Sequence, residues 1–496
     1  MNKDELYELL GDIDENAVKE AEKTIRKKGK LPMKIITAAA CLLLAVGIGT
    51  RYLPVPDIDG DTEKSETTAG NESDGTSTNV NKLLAAAHYP ECPSYPEETE
   101  EYNDEYEQKY EEWSDAMGER RRSITKEDAE DFNSFFSKTS KVFLSDSKSE
   151  NCIYSPLSLY MALGMSAEIS GGNTRQQILD VMGQEDISSL RTNTQNIWNA
   201  HYVDDGMAKC VLASSLWTNS DLSYDQNTID RLARDYYASS YTGVPGSEEY
   251  DKMLQNWLNE QTDGLLDDYV SNINMSPETV LALASTVNFS GKWNSEFSPE
   301  RTESGLFHSP SGDVECDFLT AEWDMFYFWG EKFASINLSM ENNGYMRLIL
   351  PDEGYTPNDL INDSEAMKYM MSSWDYENGK YVTVDMKIPK FDVSSNTDLR
   401  SGLMELGITD AFDPDISDFS PITDASTGIA IGRAEQDTRV IIDEKGCKAA
   451  ALTVMSYCGA AMPVDKAEFI LDRPFIFEIM SETGLPIFVG IVNVPV

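Results

Sequence analysis

The chain has 496 residues, and its 86 Asp and Glu against 40 Lys and Arg give a net charge of −46. So acidic a chain lacks the basic surface that binds phosphates, which excludes nucleic acid as an expected partner. Hydrophobic residues make up 41% and aromatic residues 10%, too many for a disordered chain. The three histidines (His88, His201 and His308) are far apart in sequence, so we expect no metal site and no histidine-based catalysis.

The N-terminal part carries a membrane-targeting pattern. Residues 35–53 are mostly apolar, with no charge before residue 51, and a run of basic residues precedes them. A basic flank before an apolar run orients its N-terminal side toward the cytoplasm. Two interpretations stay open: an uncleaved transmembrane signal-anchor, favoured by the long lead of residues 1–34, and a cleaved signal peptide. In both, residues 1–34 are cytoplasmic at first and the chain beyond residue 53 is extracellular, either anchored at the cell surface or secreted.

Residues 54–122 form the next part and carry a net charge of −13. They show no lasting apolar period, so they cannot bury enough apolar surface to offset the entropy of ordering. This composition predicts an acidic disordered linker. The alternative is a spacer helix with Tyr102, Tyr106, Tyr110 and Trp113 along one face, at spacings of four and three.

A globular domain is predicted over residues 123–496. Thr125 and Asp128 can cap a helix whose phenylalanines (132, 135, 136 and 143) recur at helical spacing. The alternation in residues 381–391 predicts a half-buried strand, and the C-terminal runs FIFEIM and PIFVGIVNV predict strands covered on both faces. Since helices dominate the first half and strands the second, we predict an α+β fold in one large domain.

Catalytic motifs are missing from the sequence. There is no G-x-S-x-G, H-E-x-x-H or C-x-x-C, and no glycine-rich phosphate loop. The seven cysteines are odd in number and spaced without pattern, which does not indicate a disulfide framework. We therefore expect a protein that is not an enzyme and has no cofactor.

One stretch is anomalous in so charged a chain. Residues 449–464 (AAALTVMSYCGAAMPV) contain no charge. A helix is poorly supported there, because β-branched residues and a glycine weaken it before Pro463 ends it. Small residues that flank a β-capable run suit a segment that is a loop in one state and a strand in another.

Five separated stretches of the sequence resemble the serpin family, over about residues 126–496. They are NCIYSPLSLYMALGMSAEISGGNTRQQI (151–178), FSGKWNSEFSPERTESGLFHSPSG (289–312), LPDEG (350–354), KIPKFDV (387–393) and the C-terminal DRPFIF with PIFVGIVNVP. Their order and spacing together are specific. The resemblance implies the serpin fold, with helices of the first half packed on a large mixed β-sheet and an exposed reactive-centre loop. With the N-terminal pattern, it implies a bacterial serpin that carries a membrane anchor.

The resemblance also implies a function, inhibition of serine proteases by a suicide-substrate mechanism. In that family the protease attacks the loop and forms an acyl-enzyme, and the cut loop then enters the main sheet as a new strand. The alternative is a non-inhibitory serpin used for binding or surface display. We expect a monomer whose partners are serine proteases. An acidic surface offers no groove for a heparin-type cofactor, and it would steer a basic protease toward the domain.

The family's hinge begins Glu-x-Gly-Thr before small residues, and the run from Glu444 to Thr453 resembles it. The implied hinge residues are Glu444, Lys445, Gly446, Cys447, Lys448, Ala449, Ala450, Ala451, Leu452 and Thr453. Strand alternation would turn Cys447, Ala449 and Ala451 inward and the only charge, Lys448, outward. Cys447 departs from the usual Thr or Ser. The pattern favours insertion over a non-inhibitory serpin, whose hinge usually carries bulky, charged or proline residues.

Counting the family's usual sixteen residues from Glu444 places the scissile bond at Ala460–Ala461. A hinge one residue shorter would place it at Gly459–Ala460. A small residue before the bond indicates an elastase-like target, while Tyr457 leaves a chymotrypsin-like cut as the alternative.

The resemblance also implies roles for two further groups of residues, the breach and the shutter. The breach, where insertion begins, comprises Trp293, Lys390 and Glu444, the last two as an ion pair. The shutter, where the sheet parts, comprises Asn151, Ser155, Ser158 and Gln436. Gln436 replaces the usual histidine, which keeps hydrogen bonding but removes a pH switch. Ser285 likewise replaces a common asparagine.

Overall fold

The computed structural model of the chain describes residues 81–96, 104–145, 149–341, 344–372, 376–424, 428–432, 434–447 and 465–495. Its helices are α1 (Asp104–Arg121), α2 (Lys126–Leu144), α3 (Pro156–Ile169), α4 (Gly172–Met182), α5 (Ile187–His201), α6 (Gln226–Asp235), α7 (Glu248–Gln261), α8 (Asp267–Val270), α9 (Pro357–Ile361), α10 (Ser364–Met370) and α11 (Leu399–Glu405). Two short 3₁₀ turns cover Pro299–Arg301 and Asp410–Phe412.

The strands are β1 (Lys82–Ala85), β2 (Cys152–Tyr154), β3 (Val203–Asp204), β4 (Lys209–Asn219), β5 (Ala238–Gly243), β6 (Leu281–Lys292), β7 (Glu303–Ser309), β8 (Gly312–Trp329), β9 (Phe333–Ser339), β10 (Tyr345–Pro351), β11 (Gly379–Pro389), β12 (Phe391–Asp398), β13 (Glu435–Ile442), β14 (Gly446–Cys447), β15 (Lys466–Ile470), β16 (Phe475–Met480) and β17 (Pro486–Val492).

Three sheets organise these strands. The first has the order β1-β5-β4-β6-β14, with β3 on β4, and the second has the order β15-β11-β8-β9-β10-β16-β17-β2, with β7 on β8. β12 and β13 form the third sheet. Both larger sheets are mixed, since β4–β5 and β11–β15 are parallel pairs. Among the described residues, no ladder joins β6 to β13.

The predicted helix after Thr125 is present as α2. The hydroxyl of Thr125 accepts a hydrogen bond from the Asp128 N–H at 3.0 Å, and the Asp128 carboxylate accepts one from the Thr125 N–H at 2.9 Å. This reciprocal cap satisfies two donors that a helix start leaves open. The phenylalanines that recur along α2 are buried in the main core, so its amphipathic interpretation is confirmed.

The predicted strands are also present. On β11 the side chains of residues 382, 384, 386 and 388 are buried, whereas Tyr381 and Asp385 are exposed. Every residue of β16 and β17 is buried, as expected for strands covered on both faces. Helices predominate up to residue 270 and strands beyond it. The predicted α+β class is confirmed.

The prediction of a disordered linker over residues 54–122 is wrong for the part that the structure describes. β1 adds to the edge of β5 as an antiparallel strand. After it, the ring of Tyr89 packs 5.2 Å from that of Trp198, and the N–H of Tyr95 donates to the carbonyl of Asp205 at 2.8 Å. Acidic composition suggested disorder, but a few aromatic side chains bury enough surface to order the segment.

Helix α1 corresponds to the spacer helix that the spacing of the aromatic residues allowed as the alternative to a disordered linker. Trp113 and Met117 lie four residues apart on one face and are 5% and 2% exposed. The ring of Trp113 packs 4.9 Å from Tyr95, edge to face, and joins the main core. The folded unit therefore begins well before the predicted boundary at residue 123, and α1 is part of it.

The predicted signal-anchor at 35–53 and the cytoplasmic segment 1–34 lie outside the described residues. Within the described residues, no helix is both long enough and apolar enough to cross a membrane.

Replacing Trp113 with Ala should destabilise the domain, because it removes a large ring from the core. Loss of a buried Trp side chain typically costs about 3–5 kcal/mol. Denaturant unfolding followed by circular dichroism should show an earlier midpoint. The control is Glu111→Ala, an exposed position on the same helix. Equal midpoints for both variants and the wild type would restore the disordered-linker interpretation.

Candidate functional site

The hinge begins with a tight turn between β13 and β14. The carboxylate of Asp443 accepts hydrogen bonds from the N–H groups of Lys445 at 2.8 Å and Gly446 at 3.2 Å. β14 then pairs antiparallel with the end of β6, Gly446 opposite Lys292 and Cys447 opposite Gly291. The first hinge residues are therefore seated on the edge of β6.

Gly446 is required at this turn. Its φ is +151°, and a Cβ there would lie 2.3 Å from the carbonyl oxygen of Gly291. Any other residue would push the hinge off β6, because the obstacle is backbone and not a movable side chain. The sequence resemblance selected this glycine, and the close approach supplies its physical reason.

The ion pair expected at the breach is present. The ammonium of Lys390 lies 2.9 Å and 3.0 Å from the two carboxylate oxygens of Glu444, and the hydroxyl of Thr302 donates to the same carboxylate at 2.9 Å. Burial opposes ionisation of Glu444. However, the hydrogen bonds from Lys390, from its own backbone N–H and from Thr302 outweigh burial, so the pKa of this carboxyl lies below its usual range.

Trp293 holds the backbone of the turn. Its side chain is buried, and its indole N–H donates to the carbonyl of Asp443 at 3.0 Å. Its backbone N–H donates to the carbonyl of Lys445 at 3.0 Å, and the N–H of Phe297 donates to that of Glu444 at 2.9 Å. Three successive carbonyls of the turn thus receive hydrogen bonds from residues that follow β6.

A cleft separates β6 from β13. One part of it is lined by residues 285–288 of β6, residues 436–439 of β13 and the start of α3. The adjoining part is lined mainly by apolar side chains, among them Phe289, Val440, Ile479 and Phe488. Cys447 is buried at the end of this second part. The cleft therefore continues from the position where β14 ends.

Polar side chains at the start of α3 connect the two sides of the cleft. The amide of Gln436 on β13 bonds the backbone of Ser155, accepting from its N–H at 2.7 Å and donating to its carbonyl at 3.2 Å. Ser158 donates to the hydroxyl of Ser285 on β6 at 3.2 Å. Ser155, Ser158 and Gln436 are therefore brought together as predicted for the shutter, and Ser285 joins them.

Asn151 is not part of this polar group. Its side-chain amide donates to the carbonyl of Val494 at 2.7 Å, and its oxygen accepts from the N–H groups of Asn493 and Val494. The structure thus contradicts its assignment to the shutter group. Its contacts instead fix the C-terminal residues beside β2.

A segment after α7, residues 262–266, covers the cleft and contacts both sides of it; we call it the cover segment. On one side, the Asp263 carboxylate accepts from Lys209 at 2.7 Å and from Asn288 at 2.8 Å. On the other side, the guanidinium of Arg439 donates to the carbonyl of Leu265 at 3.1 Å. Sequence reasoning missed this segment, because nothing local in the sequence signals a contact across a cleft.

Neither His201 nor His308 belongs to a Ser-His-Asp triad. His201 is buried, which lowers its pKa to about 4, and its ring nitrogens contact the carbonyl of Ile197 and the hydroxyl of Ser481. A triad needs a carboxylate at Nδ1, the nitrogen that here contacts the carbonyl of Ile197. His308 contacts Asp313 on an exposed hairpin. In the described part of the chain, no group of three His, Cys, Asp or Glu side chains is placed to hold a metal ion.

Comparison with known proteins identifies the family. A family model described as Serpin (serine protease inhibitor) matches residues 130–495. This chain belongs to the serpin family. An uncharacterised serpin-like protein of Methanosarcina acetivorans is 27% identical over 364 residues, which cover 70% of this chain and 82% of that protein. Alpha-1-antitrypsin 1-4 of Mus musculus is 27% identical over 355 residues, which cover 69% and 83%.

Solved structures, one of them of a named serpin, share the fold. The native state of tengpin, a thermophilic serpin, matches with a TM-score of 0.67 and 26% identity, over 75% of this chain and 95% of that chain. Human thyroxine-binding globulin with its ligand matches with a TM-score of 0.65 and 19% identity, over 74% and 98%. At 19% identity, the likeness to thyroxine-binding globulin shows only that the two proteins share a fold.

In this serpin, the structure therefore brings together Trp293, Lys390 and Glu444 at the start of the hinge. The hinge residues from Lys448 to Thr453 lie outside the described residues, as do Ala460 and Ala461. Sequence reasoning missed Asp443 and Thr302. Asp443 had a usable signal, since an Asp three residues before a Gly is typical of a tight turn.

Replacing Glu444 with Gln should lower stability at pH 7, because it removes the charge that Lys390 and Thr302 bond. Hydrogen bonds to a charged group contribute about 1.5–3 kcal/mol. The folded-state pKa of Glu444 lies below its value in the unfolded chain, near 4.3. The contribution of ionised Glu444 to folding stability is therefore complete above its pKa in the unfolded chain. It is lost as the pH falls through its pKa in the folded protein.

Unfolding midpoints measured from pH 7 down to pH 3 check this expectation, since the gap between the wild type and E444Q should narrow as the pH falls through the folded pKa of Glu444. The matched control is Glu303→Gln, which removes an exposed ion pair with Lys387. That change should cost less than about 1 kcal/mol. A gap between the wild type and E444Q that stays constant over the whole range would contradict the assigned ionisation.

Proposed function

We propose that this serpin inhibits elastase-type serine proteases by the suicide-substrate mechanism. The proposal rests above all on one observation. The hinge residues Gly446 and Cys447 pair with the end of β6, at one end of the cleft between β6 and β13. A loop that continues from this position has a path into the sheet.

The register of β14 gives the inserted strand a definite placement. Extending it along β6 would set Ala449 opposite Phe289, Thr453 opposite Ser285 and Tyr457 opposite Leu281, the first residue of β6. The predicted hinge thus fits within the length of β6. An inserted strand would pair with backbone groups on both sides of the cleft, which supplies the free energy for insertion.

In the proposed reaction the protease supplies the nucleophile and the proton, and this chain supplies the bond that is cut. The catalytic serine oxygen attacks the carbonyl carbon of Ala460, the bond to Ala461 breaks, and the new amino group of Ala461 takes the proton that the protease transfers. An ester then joins the protease to Ala460. Insertion of residues 446–457 would move this ester away from Ala461, so that the protease is held as an acyl-enzyme.

The residue before the bond selects the target. Alanine suits a small primary pocket, and it leaves empty the pockets that bind arginine, lysine or a large aromatic side chain. The relatives alpha-1-antitrypsin 1-4 and alpha-1-antiproteinase support protease inhibition as the general activity. The elastase preference rests on Ala460 itself.

The site of action proposed for this serpin is outside the cytoplasm. The apolar segment 35–53, preceded by basic residues, supports this location. The protein would act there as a monomer, anchored at the cell surface or released after cleavage.

Exchanging two neighbouring hinge residues tests insertion directly. Lys448→Ala combined with Ala449→Lys keeps composition and net charge, but it moves the ammonium group to a position that faces inward after insertion. Burial of an unpaired charge among apolar side chains costs several kcal/mol. On a denaturing gel with elastase, the wild type should leave a covalent complex, whereas the exchanged variant should be cut and release active protease.

Lys448→Ala alone is the matched control and should trap elastase like the wild type. If the exchanged variant traps elastase equally well, the inserted register is wrong. If the wild type itself is merely cut, the protein is a non-inhibitory serpin.

Ala460→Arg should redirect the inhibitor toward trypsin-like proteases, because arginine fills a primary pocket that carries a carboxylate. Inhibition of elastase should fall by at least about tenfold, and a covalent complex with trypsin should appear. Gels run in parallel with both proteases measure the change. Unaltered elastase inhibition without a trypsin complex would show that the scissile bond lies elsewhere.

A further inference from the structure

Three strands beside the C-terminal end of the reactive-centre loop present an exposed face. β11 lies between β8 and β15, antiparallel to β8 and parallel to β15. Six residues define what we call the acidic-aromatic face: Glu322, Asp324, Phe326, Tyr381, Asp385 and Glu468. All six are exposed, and within each strand they alternate with residues that are buried or partly buried.

Carboxylates dominate one end of this face. Asp385 lies directly opposite Glu322 on β8 and directly opposite Glu468 on β15, so three acidic side chains form one row across three strands. Lys466 contacts Glu322 from the adjoining row, which also holds Asp324. Like charges directly opposite one another destabilise a sheet. Lys466 and, more weakly, Arg301 hold the pKa of the Glu322 carboxyl below its usual range, so Glu322 is ionised and the row carries concentrated negative charge.

Aromatic rings occupy the other end. Phe326 and Tyr381 are directly opposite across β8 and β11, with ring centroids 5.5 Å apart in an edge-to-face arrangement. Their exposed fractions are 48% and 45%. Large apolar side chains left exposed side by side are typical of a surface that binds a partner.

The face adjoins the reactive-centre loop. β15 begins at the first residues that follow the loop, and the carbonyl of Asp465 accepts from the N–H of Thr383 in the middle of β11. From Asp465 back to Ala461 is four residues, at most about 14 Å of chain. A protease domain is on the order of 40 Å across. A protease that holds the scissile bond therefore reaches this face.

We propose that the acidic-aromatic face is a second contact surface for the target protease, which binds it through a basic and partly apolar rim beside its active-site cleft. The proposal rests on the function proposed above and adds a determinant of partner choice outside the loop. Charge complementarity favours a cationic protease, and the exposed ring pair supplies apolar area once the two proteins touch. The face would raise the rate of association, while the loop sequence would decide where the bond is cut.

The test compares two charge variants with the same net change. One carries Glu322→Gln, Asp385→Asn and Glu468→Gln. The control carries Glu107→Gln, Glu111→Gln and Asp115→Asn at exposed positions of α1. Rates of complex formation with a cationic elastase-type protease are measured from low to high salt. The face variant should associate about tenfold more slowly than the wild type at low salt, and the two should converge at high salt. The control should stay within about twofold.

An aromatic variant separates the two contributions. Phe326→Ser with Tyr381→Ser should weaken binding at every salt concentration, because apolar contact is not screened. The readout is the affinity for the same protease with its catalytic serine replaced by alanine, which binds without being acylated. Melting temperatures of all variants confirm that each is folded.

Different outcomes overturn different claims. If the wild type forms the covalent complex and the face variants behave like the control, this inference fails and the proposed function stands. If the wild type neither forms a complex with the active protease nor binds its inactive form, both fail together. A wild-type dimer in sedimentation experiments that the face variants abolish would assign the face to self-association and overturn the proposal.

Discussion

The separation of two neighbouring strands, β6 and β13, is the constraint on which the rest of the structure depends. Each is paired on its far side, β6 with β4 and β13 with β12, and the described residues place no ladder between them. The polar groups at the start of α3 connect the two strands from one side, and the cover segment connects them from the other. Because backbone groups along a strand edge favour hydrogen bonds, this arrangement can gain free energy by accepting one more strand.

The contacts that hold the hinge are few compared with those that insertion would add. Three hydrogen bonds to the turn carbonyls and the bonds to Glu444 seat it, each contributing on the order of 1 kcal/mol and somewhat more where a charge takes part. A strand paired on both sides over about ten residues would make many more such bonds. In the proposed mechanism the inserted strand extends the register of β14, so these hinge contacts persist and fix that register. Control of the insertion rate would then lie in the contacts across the cleft.

Local and repeated patterns made most of the fold predictable. The cap at Thr125, the alternation along β11 and the apolar run of β16 each specify an element from a few neighbouring residues. Helix α1 was misjudged because its many acidic residues outweighed Trp113 and Met117, two side chains that the fold buries. The ion pair between Lys390 and Glu444 came through family resemblance. The true contacts of Asn151 and of the cover segment join residues far apart in sequence, where no local pattern points to them.

The negative charge of the chain is most informative where it is locally arranged. A diffuse charge of −34 over residues 123–496 attracts any basic protein. By itself it therefore raises the rate of association without selecting one basic partner over another. The row formed by Glu322, Asp385 and Glu468 concentrates three carboxylates at one place on the surface. Its position beside the aromatic pair and next to the loop therefore argues for a specific contact over general solubility. Long-range attraction, a local docking surface and an uncharged loop would then act in succession, since each operates at a shorter distance than the one before.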